Sequence, residues 1–177
     1  MISSRDGSEG TKSCYACELI ERRDRGGAPR WDRILRTAHW DVAHAYNSSL
    51  EGWTVVVLRR HVRTLAELTE AEAAELGPLI LTISRALPEV VPCTKTYVAQ
   101  FADDPAHPHV HVHVVPKPPD LPDDERGPRV FARLGVEPEA RISEDRMNEI
   151  ADVLAGLLIV NGSSSADSGK ASPISPR

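Results

Sequence analysis

The chain has 177 residues, with 21 Lys and Arg against 26 Asp and Glu and a formal net charge of -5. An acidic chain without a long basic run neutralises few phosphates, so we expect no nucleic-acid binding. Its apolar stretches, such as 153–160, are shorter than the roughly 20 residues that span a bilayer, and its N-terminus lacks the apolar stretch of a signal peptide. Three cysteines form no complete disulfide set, so the composition predicts a cytoplasmic protein without membrane contact.

The two ends of the chain are predicted to be disordered. Residues 1–12 and 161–177 are rich in small, polar and charged side chains and bury too little apolar area to offset the entropy of ordering. The folded unit is therefore expected to span 13–160.

Helical spacing of apolar residues predicts a short helix over Cys14–Arg22, a long one after the capping box Thr69–Glu72, and a third from about Ser143. Gly77-Pro78 should weaken or kink the long helix, which must end by Leu87-Pro88. The third helix carries its apolar side chains on one side: Met147, Ile150, Val153, Leu154, Leu157 and Leu158.

Short runs rich in Val, Thr, Tyr or Trp predict strands at 33–36, 41–45, 54–58, 96–101 and 109–115. Most of these strands follow one another without an intervening helix, which favours an antiparallel sheet over a doubly wound parallel one. The predicted fold class is α+β: a five-stranded antiparallel sheet with a long helix and shorter helices packed on it.

The last strand has an unusual composition, because residues 107–117 read His-Pro-His-Val-His-Val-His-Val-Val-Pro-Lys. Side chains alternate across a strand, so His109, His111 and His113 project from one face and Val110, Val112 and Val114 from the other. Three imidazoles in a row suit chemistry better than a core or an inert surface. On spacing alone, a metal-binding strand and a solvated His-rich strand are the alternatives, since His-x-His also places two metal ligands on one face.

The segment His109-Val110-His111-Val112-His113-Val114-Val115 resembles the signature of the histidine triad (HIT) family, His-x-His-x-His followed by two apolar residues. Upstream, Gly52-Trp53-Thr54-Val55-Val56-Val57-Leu58-Arg59-Arg60-His61-Val62 is similar to the family's Gly-His-x-Leu-Val-Ile-Pro-x-x-His-Ile stretch. The resemblance implies a HIT-like catalytic domain at 13–117. Residues 118–160 are then a C-terminal extension whose helix packs on the same domain.

The resemblance implies cleavage of a nucleoside monophosphate from a phosphoramidate, a phosphoanhydride or a dinucleoside polyphosphate. The family's middle histidine is the nucleophile, here His111, and a nucleotidyl-histidine intermediate divides the displacement into two easier steps. A backbone carbonyl is expected to hold the second ring nitrogen of His111, and His113 is expected to donate to phosphoryl oxygens. The resemblance further implies a homodimer and, by default, an adenine nucleotide.

The motif Cys14-Tyr15-Ala16-Cys17 is ambiguous by itself, because CxxC can be a redox pair, half of a zinc site or a coincidence. Many bacterial HIT proteins complete a zinc site with the histidine that ends the Pro-x-x-His stretch and with the first histidine of the triad. The resemblance therefore implies one structural zinc per chain, held by Cys14, Cys17, His61 and His109 and closed to substrate by these four ligands.

The nucleotide-binding residues depart from the family pattern. Asp103-Asp104-Pro105-Ala106-His107-Pro108 replaces a Gly-Gln-Ser or Gly-Gln-Thr segment, and Ala45 stands where the family has a ribose-binding Asp. Core packing is the alternative role for the base-facing positions near the N-terminus, which also differ from the family's usual Ile and Phe. The candidate nucleotide-binding residues are Tyr15, Leu19, His44, Asn47, Gln100 and His113.

Two other functions follow from these departures and from the histidine count. A catalytically weak nucleotide-binding or regulatory protein would explain the missing Gly-Gln-Ser segment and ribose acid. Metal storage or sensing by the histidine strand predicts more than one metal ion per chain and no nucleotide affinity.

Overall fold

The computed structural model describes residues 14–105 and 107–164. The predicted disordered N-terminus 1–12 and residues 165–177 of the predicted disordered tail 161–177 lie outside these ranges. The helices and strands occur in the order α1 (Tyr15–Asp24), β1 (Leu35–Arg36), β2 (Trp40–His44), β3 (Thr54–Leu58), α2 (Glu70–Ala86), β4 (Lys95–Ala99), β5 (His111–Lys117) and α3 (Glu144–Ser164). Short 3-10 turns connect several of them. None of the helices in the described ranges is both long and apolar enough to cross a bilayer.

The strands form one sheet in the order β1-β2-β3-β5-β4, and every neighbouring pair is antiparallel. The histidine strand β5 lies between β3 and β4, with His113 opposite Val55 on one side and Ala99 on the other. The predicted five-stranded antiparallel α+β fold is confirmed.

Strand β5 begins at His111, two residues after the predicted start. The His109 N–H donates to the carbonyl of His107 (2.7 Å), and the Val110 N–H donates to the carbonyl of Val62 (2.8 Å) beyond the end of β3. These two residues therefore leave the regular ladder, and His109 lies beside the segment that carries His61.

The valines of β5 face the main hydrophobic core, as the alternation of the motif predicts. Val110, Val112 and Val114 pack there with side chains of α2 and α3. Helix α1 lies on the opposite, histidine-bearing face, where Ala16 and Ile20 pack against Val57 of β3. The sheet thus separates a hydrophobic core from a face that is free to form a site.

Helix α2 starts at the predicted capping box, in which the Glu72 N–H donates to the Thr69 hydroxyl (3.3 Å) and the Thr69 N–H donates to the Glu72 carboxylate (2.8 Å). It is uninterrupted at Pro78 and ends at Ala86. Proline removes one backbone donor, but burial of neighbouring side chains such as Ile83 in the core stabilises the helix across it.

Helix α3 packs on α2 and on the turn before β1. Its buried residues are Met147, Ile150, Ala151, Leu154 and Leu158. The predicted inward position of Val153 is wrong, because its side chain is 52% exposed. The helix continues to Ser164, so residues 161–164, expected in a disordered tail, are helical.

Gly52→Ala is expected to destabilise the fold by about 1–3 kcal/mol. Gly52 ends the β2–β3 turn with a φ of +76°, and an added Cβ would lie 2.9 Å from Val91 Cγ2. Urea unfolding would measure the loss. The control is Gly156→Ala in α3, where nothing lies within 4 Å of the new methyl group and a small gain of about 0.5–1 kcal/mol is expected. Equal stabilities for the two variants would contradict the prediction.

Candidate active site and metal centre

A cavity of about 260 Å³ lies on the histidine-bearing face of the sheet. Helix α1, strands β2, β3 and β5 and the turn at 127–134 contribute to its walls. Much of the lining is apolar and includes Tyr15, Leu19, Ala43, Val55, Val57 and Leu134. His111 and His113 also line this cavity, which therefore combines an apolar surface suited to a flat ring with two imidazoles.

His111 is held by its own backbone. Its Nδ1–H donates to the carbonyl of His109 at 2.7 Å, which leaves Nε2 with a lone pair. Burial lowers the pKa of His111, although the His109 carbonyl acts in the opposite direction. Neutral, oriented imidazole is the form that can act as a nucleophile.

His113 is buried deeper, next to His111. Its Nδ1 accepts a hydrogen bond from the Trp53 indole N–H at 3.1 Å, and its ring meets that of His111 edge to face at 4.9 Å. Burial lowers the pKa of His113 to about 3, so the ring is neutral near pH 7. With Nδ1 accepting, the ring proton lies on Nε2, and His113 is a donor at its other edge.

The four predicted metal ligands come together in space. Sγ of Cys14, Sγ of Cys17, and Nδ1 of His61 and of His109 all lie within 4.8 Å of one another. The His109 Nε2–H donates to the carbonyl of Leu58 at 2.6 Å, so its Nδ1 lone pair is directed into the cluster. The arrangement links α1, the segment after β3 and the residue pair before β5.

Distances within this cluster fit one tetrahedral ion. His109 Nδ1 lies 3.6 Å from Cys14 Sγ, 3.5 Å from Cys17 Sγ and 3.2 Å from His61 Nδ1, and Cys17 Sγ lies 3.3 Å from His61 Nδ1. Zinc with ordinary Zn–N and Zn–S bonds places tetrahedral ligands about 3.3 to 3.6 Å apart for these atom pairs. Burial and the neighbouring Cys14 raise the pKa of Cys17 to about 11, so a cation would have to displace protons to bind.

The predicted nucleotide-binding residues fall into three groups. Tyr15, Leu19 and Asn47 line the cavity together with His113. His44 lines it too, but its Nδ1–H donates to the Ala45 carbonyl (2.9 Å) and its Nε2 accepts from the Gly52 N–H (3.0 Å). Both nitrogens of His44 thus hold the β2–β3 turn, and its ring has only carbon atoms to offer a ligand.

Gln100, the remaining predicted nucleotide-binding residue, does not line the cavity. Ala99 is in register with His113, and side chains alternate, so Gln100 turns to the other side. The next residue, Phe101, lines the cavity instead.

Besides Phe101, sequence reasoning missed other aromatic and apolar residues at the site, among them Trp53, Phe131 and Leu134. Trp53 contacts His113 directly, and Phe131 and Leu134 bring the extension at 118–160 into the cavity wall. Phe131 meets His113 and Trp53 edge to face, with ring centroids 5.1 Å apart in each pair. Val130, Phe131 and Leu134 are an apolar signal that could have indicated a buried segment, but nothing local indicates what such a segment contacts.

Positive charge is scarce in this cavity. Among the described lining residues the cationic side chain is Arg23, and its guanidinium donates to both Asp32 (2.5 Å) and Asp41 (3.3 Å). Asp103 and Asp104 add carboxylates to the lining. A bound phosphate would therefore depend on imidazole and backbone N–H groups rather than on Lys or Arg.

Comparisons with known proteins agree with this geometry. No protein-family model matches the chain. It is 27% identical over 110 residues to the adenosine 5′-monophosphoramidase hnt1 of Schizosaccharomyces pombe, covering 60% of this chain and 75% of the relative. A zinc-bound histidine triad family protein from Mycobacterium smegmatis matches with a TM-score of 0.60 and 21% identity, over 88% of this chain and 99% of its own. The chain has the histidine triad fold.

A second HIT structure supports the same assignment. A hypothetical histidine triad nucleotide-binding protein from Sulfolobus tokodaii matches with a TM-score of 0.63 and 14% identity, over 88% of this chain and 100% of its own. Each HIT match covers 88% of this chain, which is more than residues 1–117 and 161–177 make up together. The structural similarity therefore includes part of the extension at 118–160. The resemblance inferred from the motif at 109–115 is confirmed.

Protonation of buried His44 is expected to destabilise the HIT fold in acid. Burial lowers the pKa of His44 from 6.5 to about 4, so the unfolded chain binds this proton before the folded protein does as the pH falls. Neutral His44 makes its full contribution to the free energy of unfolding above pH 6.5, and this contribution is lost as the pH falls from 6.5 to 4. The loss is about 3 kcal/mol at most. Urea unfolding across this range should give a flatter pH dependence for His44→Gln than for the wild type. Identical slopes would contradict the prediction.

Proposed function

We propose that this protein is a HIT-type nucleotide hydrolase or nucleotidyltransferase. It would cleave a nucleoside monophosphate from a phosphoramidate, a phosphoanhydride or a dinucleoside polyphosphate. The observation that carries the proposal is the hydrogen bond from His111 Nδ1 to the His109 carbonyl, which leaves Nε2 as the free nitrogen. The ring of His113 lies next to that of His111, with ring centroids 4.9 Å apart.

In the first step, His111 Nε2 attacks the α-phosphorus, and the bond from phosphorus to the leaving group breaks with its electron pair on the leaving group. The leaving group takes a proton from solvent. His113 Nε2–H donates to a non-bridging oxygen, whose charge needs a fixed donor because the cavity offers no unpaired cationic side chain in its described lining. Water or another acceptor then attacks phosphorus, the P–N bond breaks with its electron pair returning to His111 Nε2, and the proton of the acceptor passes to solvent.

The cavity geometry supports a nucleotide as the ligand. The apolar wall that includes Tyr15 and Leu19 is suited to the face of a base. Asn47 lines the same cavity. Its side-chain amide would bind the ribose in place of the family's Asp, whose position is taken by Ala45 in this chain. Adenine is the default base, because the curated relative is an adenosine 5′-monophosphoramidase.

We propose zinc for the Cys14, Cys17, His61 and His109 cluster, because the donor atoms and their separations fit it. Zinc with four protein ligands supplies a structural cross-link rather than a position for substrate. His109 joins the two sites: its Nδ1 belongs to the cluster and its carbonyl accepts from His111. The solved zinc-bound HIT structure supports this assignment.

The test is incubation of the purified protein with adenosine 5′-phosphoramidate and with diadenosine polyphosphates. AMP release, together with a nucleotidyl adduct on the peptide containing His111 after rapid quenching, is the expected result. Turnover without any adduct on that peptide would overturn the covalent mechanism.

A catalytically weak nucleotide-binding protein is the second candidate, and one observation favours it. Asp103 and Asp104 line the cavity where the family pattern has neutral, hydrogen-bonding residues, and carboxylates repel a phosphate. Nucleotide binding by calorimetry with no turnover across the same substrate panel would support this candidate and overturn the first.

We also propose a homodimer that uses the β4 edge of the sheet. Among the described strands β4 pairs only with β5, and Val98 on β4 is 50% exposed. Val98→Asp is expected to shift sedimentation equilibrium toward the monomer. Val153→Asp, at a comparably exposed position on α3, is the control and should leave the dimer intact. A wild-type monomer at micromolar concentration would contradict the proposal.

A further inference from the structure

Trp53 occupies an unusual place next to the proposed active site. It follows Gly52 at the end of the β2–β3 turn, is completely buried, and packs with Val115, Leu121 and Val130. Its indole ring lies perpendicular to the ring of His113, and the indole Nε1 is 3.1 Å from His113 Nδ1. A purely structural tryptophan needs no such contact with a histidine of the triad.

The chemistry of indole gives this hydrogen bond one direction. Indole N–H can donate and has no lone pair to accept, so His113 Nδ1 must be the acceptor. A neutral imidazole carries one ring proton, which must then reside on Nε2. Within the described part of the chain His113 makes no other side-chain hydrogen bond, and its remaining close ring neighbours are His111 and Phe131.

We propose that Trp53 is a positioning residue that holds His113 in its Nε2–H tautomer, with that N–H available to the phosphoryl group at His111. This inference rests on the proposed function for its catalytic consequence, but not for the tautomer itself. It assigns a role to a residue outside the His-x-His-x-His motif.

The presence of tryptophan at position 53 makes this control of the His113 tautomer specific to this chain. The similar stretch of the HIT family has histidine after the glycine, where this chain has Trp53. Imidazole at that position could either donate or accept and would not by itself decide the tautomer of its neighbour. Indole decides it.

The turn that carries Trp53 is itself braced. His44 Nε2 accepts from the Gly52 N–H, and the Ala45 N–H donates to the Trp53 carbonyl at 2.8 Å. Phe131 packs edge to face against the indole, with ring centroids 5.1 Å apart. A donor fixed by burial and by its own backbone loses little freedom when it orients a partner.

The direct test is NMR on the ¹⁵N-labelled wild-type protein, reading the protonation of both ring nitrogens of His113 at neutral pH without substrate. The expected result is an unprotonated Nδ1 and a protonated Nε2. A protonated Nδ1 would overturn the proposal, whatever the activity of the protein. A protein without turnover that shows the expected tautomer would overturn the proposed function and leave the indole assignment in place.

Variants then test the consequence for turnover. Trp53→Phe keeps an aromatic ring and removes the N–H, so we expect His113 to populate both tautomers and kcat to fall about 10- to 100-fold while KM changes less than about threefold. Phe131→Leu disturbs packing against the same indole and is expected to keep the Nε2–H tautomer. An altered tautomer in Trp53→Phe with wild-type kcat would overturn the positioning role, as would the same tautomer change in Phe131→Leu.

Discussion

Replacing His111 with alanine is expected to lower kcat by about 10⁴-fold or more, because the covalent route through the nucleotidyl-histidine needs this nitrogen. His111 belongs to β5 and its ring reaches the cavity, while the neighbouring valines fill the core. Truncation of the ring should therefore remove the nucleophile without unfolding the sheet. The measurement is AMP release from adenosine 5′-phosphoramidate under single-turnover conditions, with circular dichroism to verify the fold.

His107→Ala is the matched control for His111→Ala. It also removes an imidazole from the cavity lining, but His107 lies outside the triad, and its Nδ1 is 3.3 Å from Asp104. We expect a change in kcat of less than about tenfold for this variant, since it loses at most a contact at the rim. Similar losses in both variants, or a fully active His111→Ala, would remove His111 from the mechanism.

Loss of the zinc site is expected to have the largest effect on stability. Cys17→Ser replaces one of four converging ligands, so the purified variant should contain much less than one zinc per chain. A ligand that binds only the folded state stabilises it by about 4 kcal/mol when the free ligand concentration is about a thousand times the dissociation constant. Losing that stabilisation corresponds to a fall in Tm of about 10 °C for a chain of this size. Elemental analysis and differential scanning calorimetry measure the two quantities.

Cys93→Ala provides the control for thiol loss without ligand loss. Cys93 does not belong to the cluster, and its thiol donates to the Lys95 carbonyl at 3.1 Å. This variant should keep one zinc per chain. A wild-type protein without zinc, with a Tm indifferent to Cys17→Ser, would contradict the metal assignment. More than one zinc per chain without nucleotide affinity would instead support metal storage.

Loss of the proposed zinc should also lower kcat, because His109 connects the metal cluster to the active site. Its ring belongs to the metal cluster, and its carbonyl orients His111. Since supporting interactions around such ligands are worth about 10- to 100-fold, kcat of Cys17→Ser is expected to fall by a factor in that range. Unchanged kcat in a zinc-free variant would show that the two sites act independently.

Features with a short sequence range were predictable. Alternation along 110–114 placed Val110, Val112 and Val114 on the core side and His111 and His113 on the other, because strand side chains alternate regardless of their surroundings. The capping box at Thr69 and Glu72 located the start of α2 for the same reason, since all its hydrogen bonds lie within one turn. The same alternation turns Gln100, which follows Ala99, away from the cavity, because Ala99 is in register with His113.

The antiparallel sheet and the residue types for the proposed phosphoryl transfer could be predicted from the sequence alone. Through the HIT resemblance the sequence also identified the grouping of Cys14 and Cys17 with two histidines. Which ring nitrogen of His109 and of His113 is free follows from the tertiary fold, because it depends on groups far away in the chain: the Leu58 carbonyl for His109 and the Trp53 indole for His113. The same holds for the entry of Phe131 into the cavity wall, since no local pattern specifies what a buried side chain from an extension will meet.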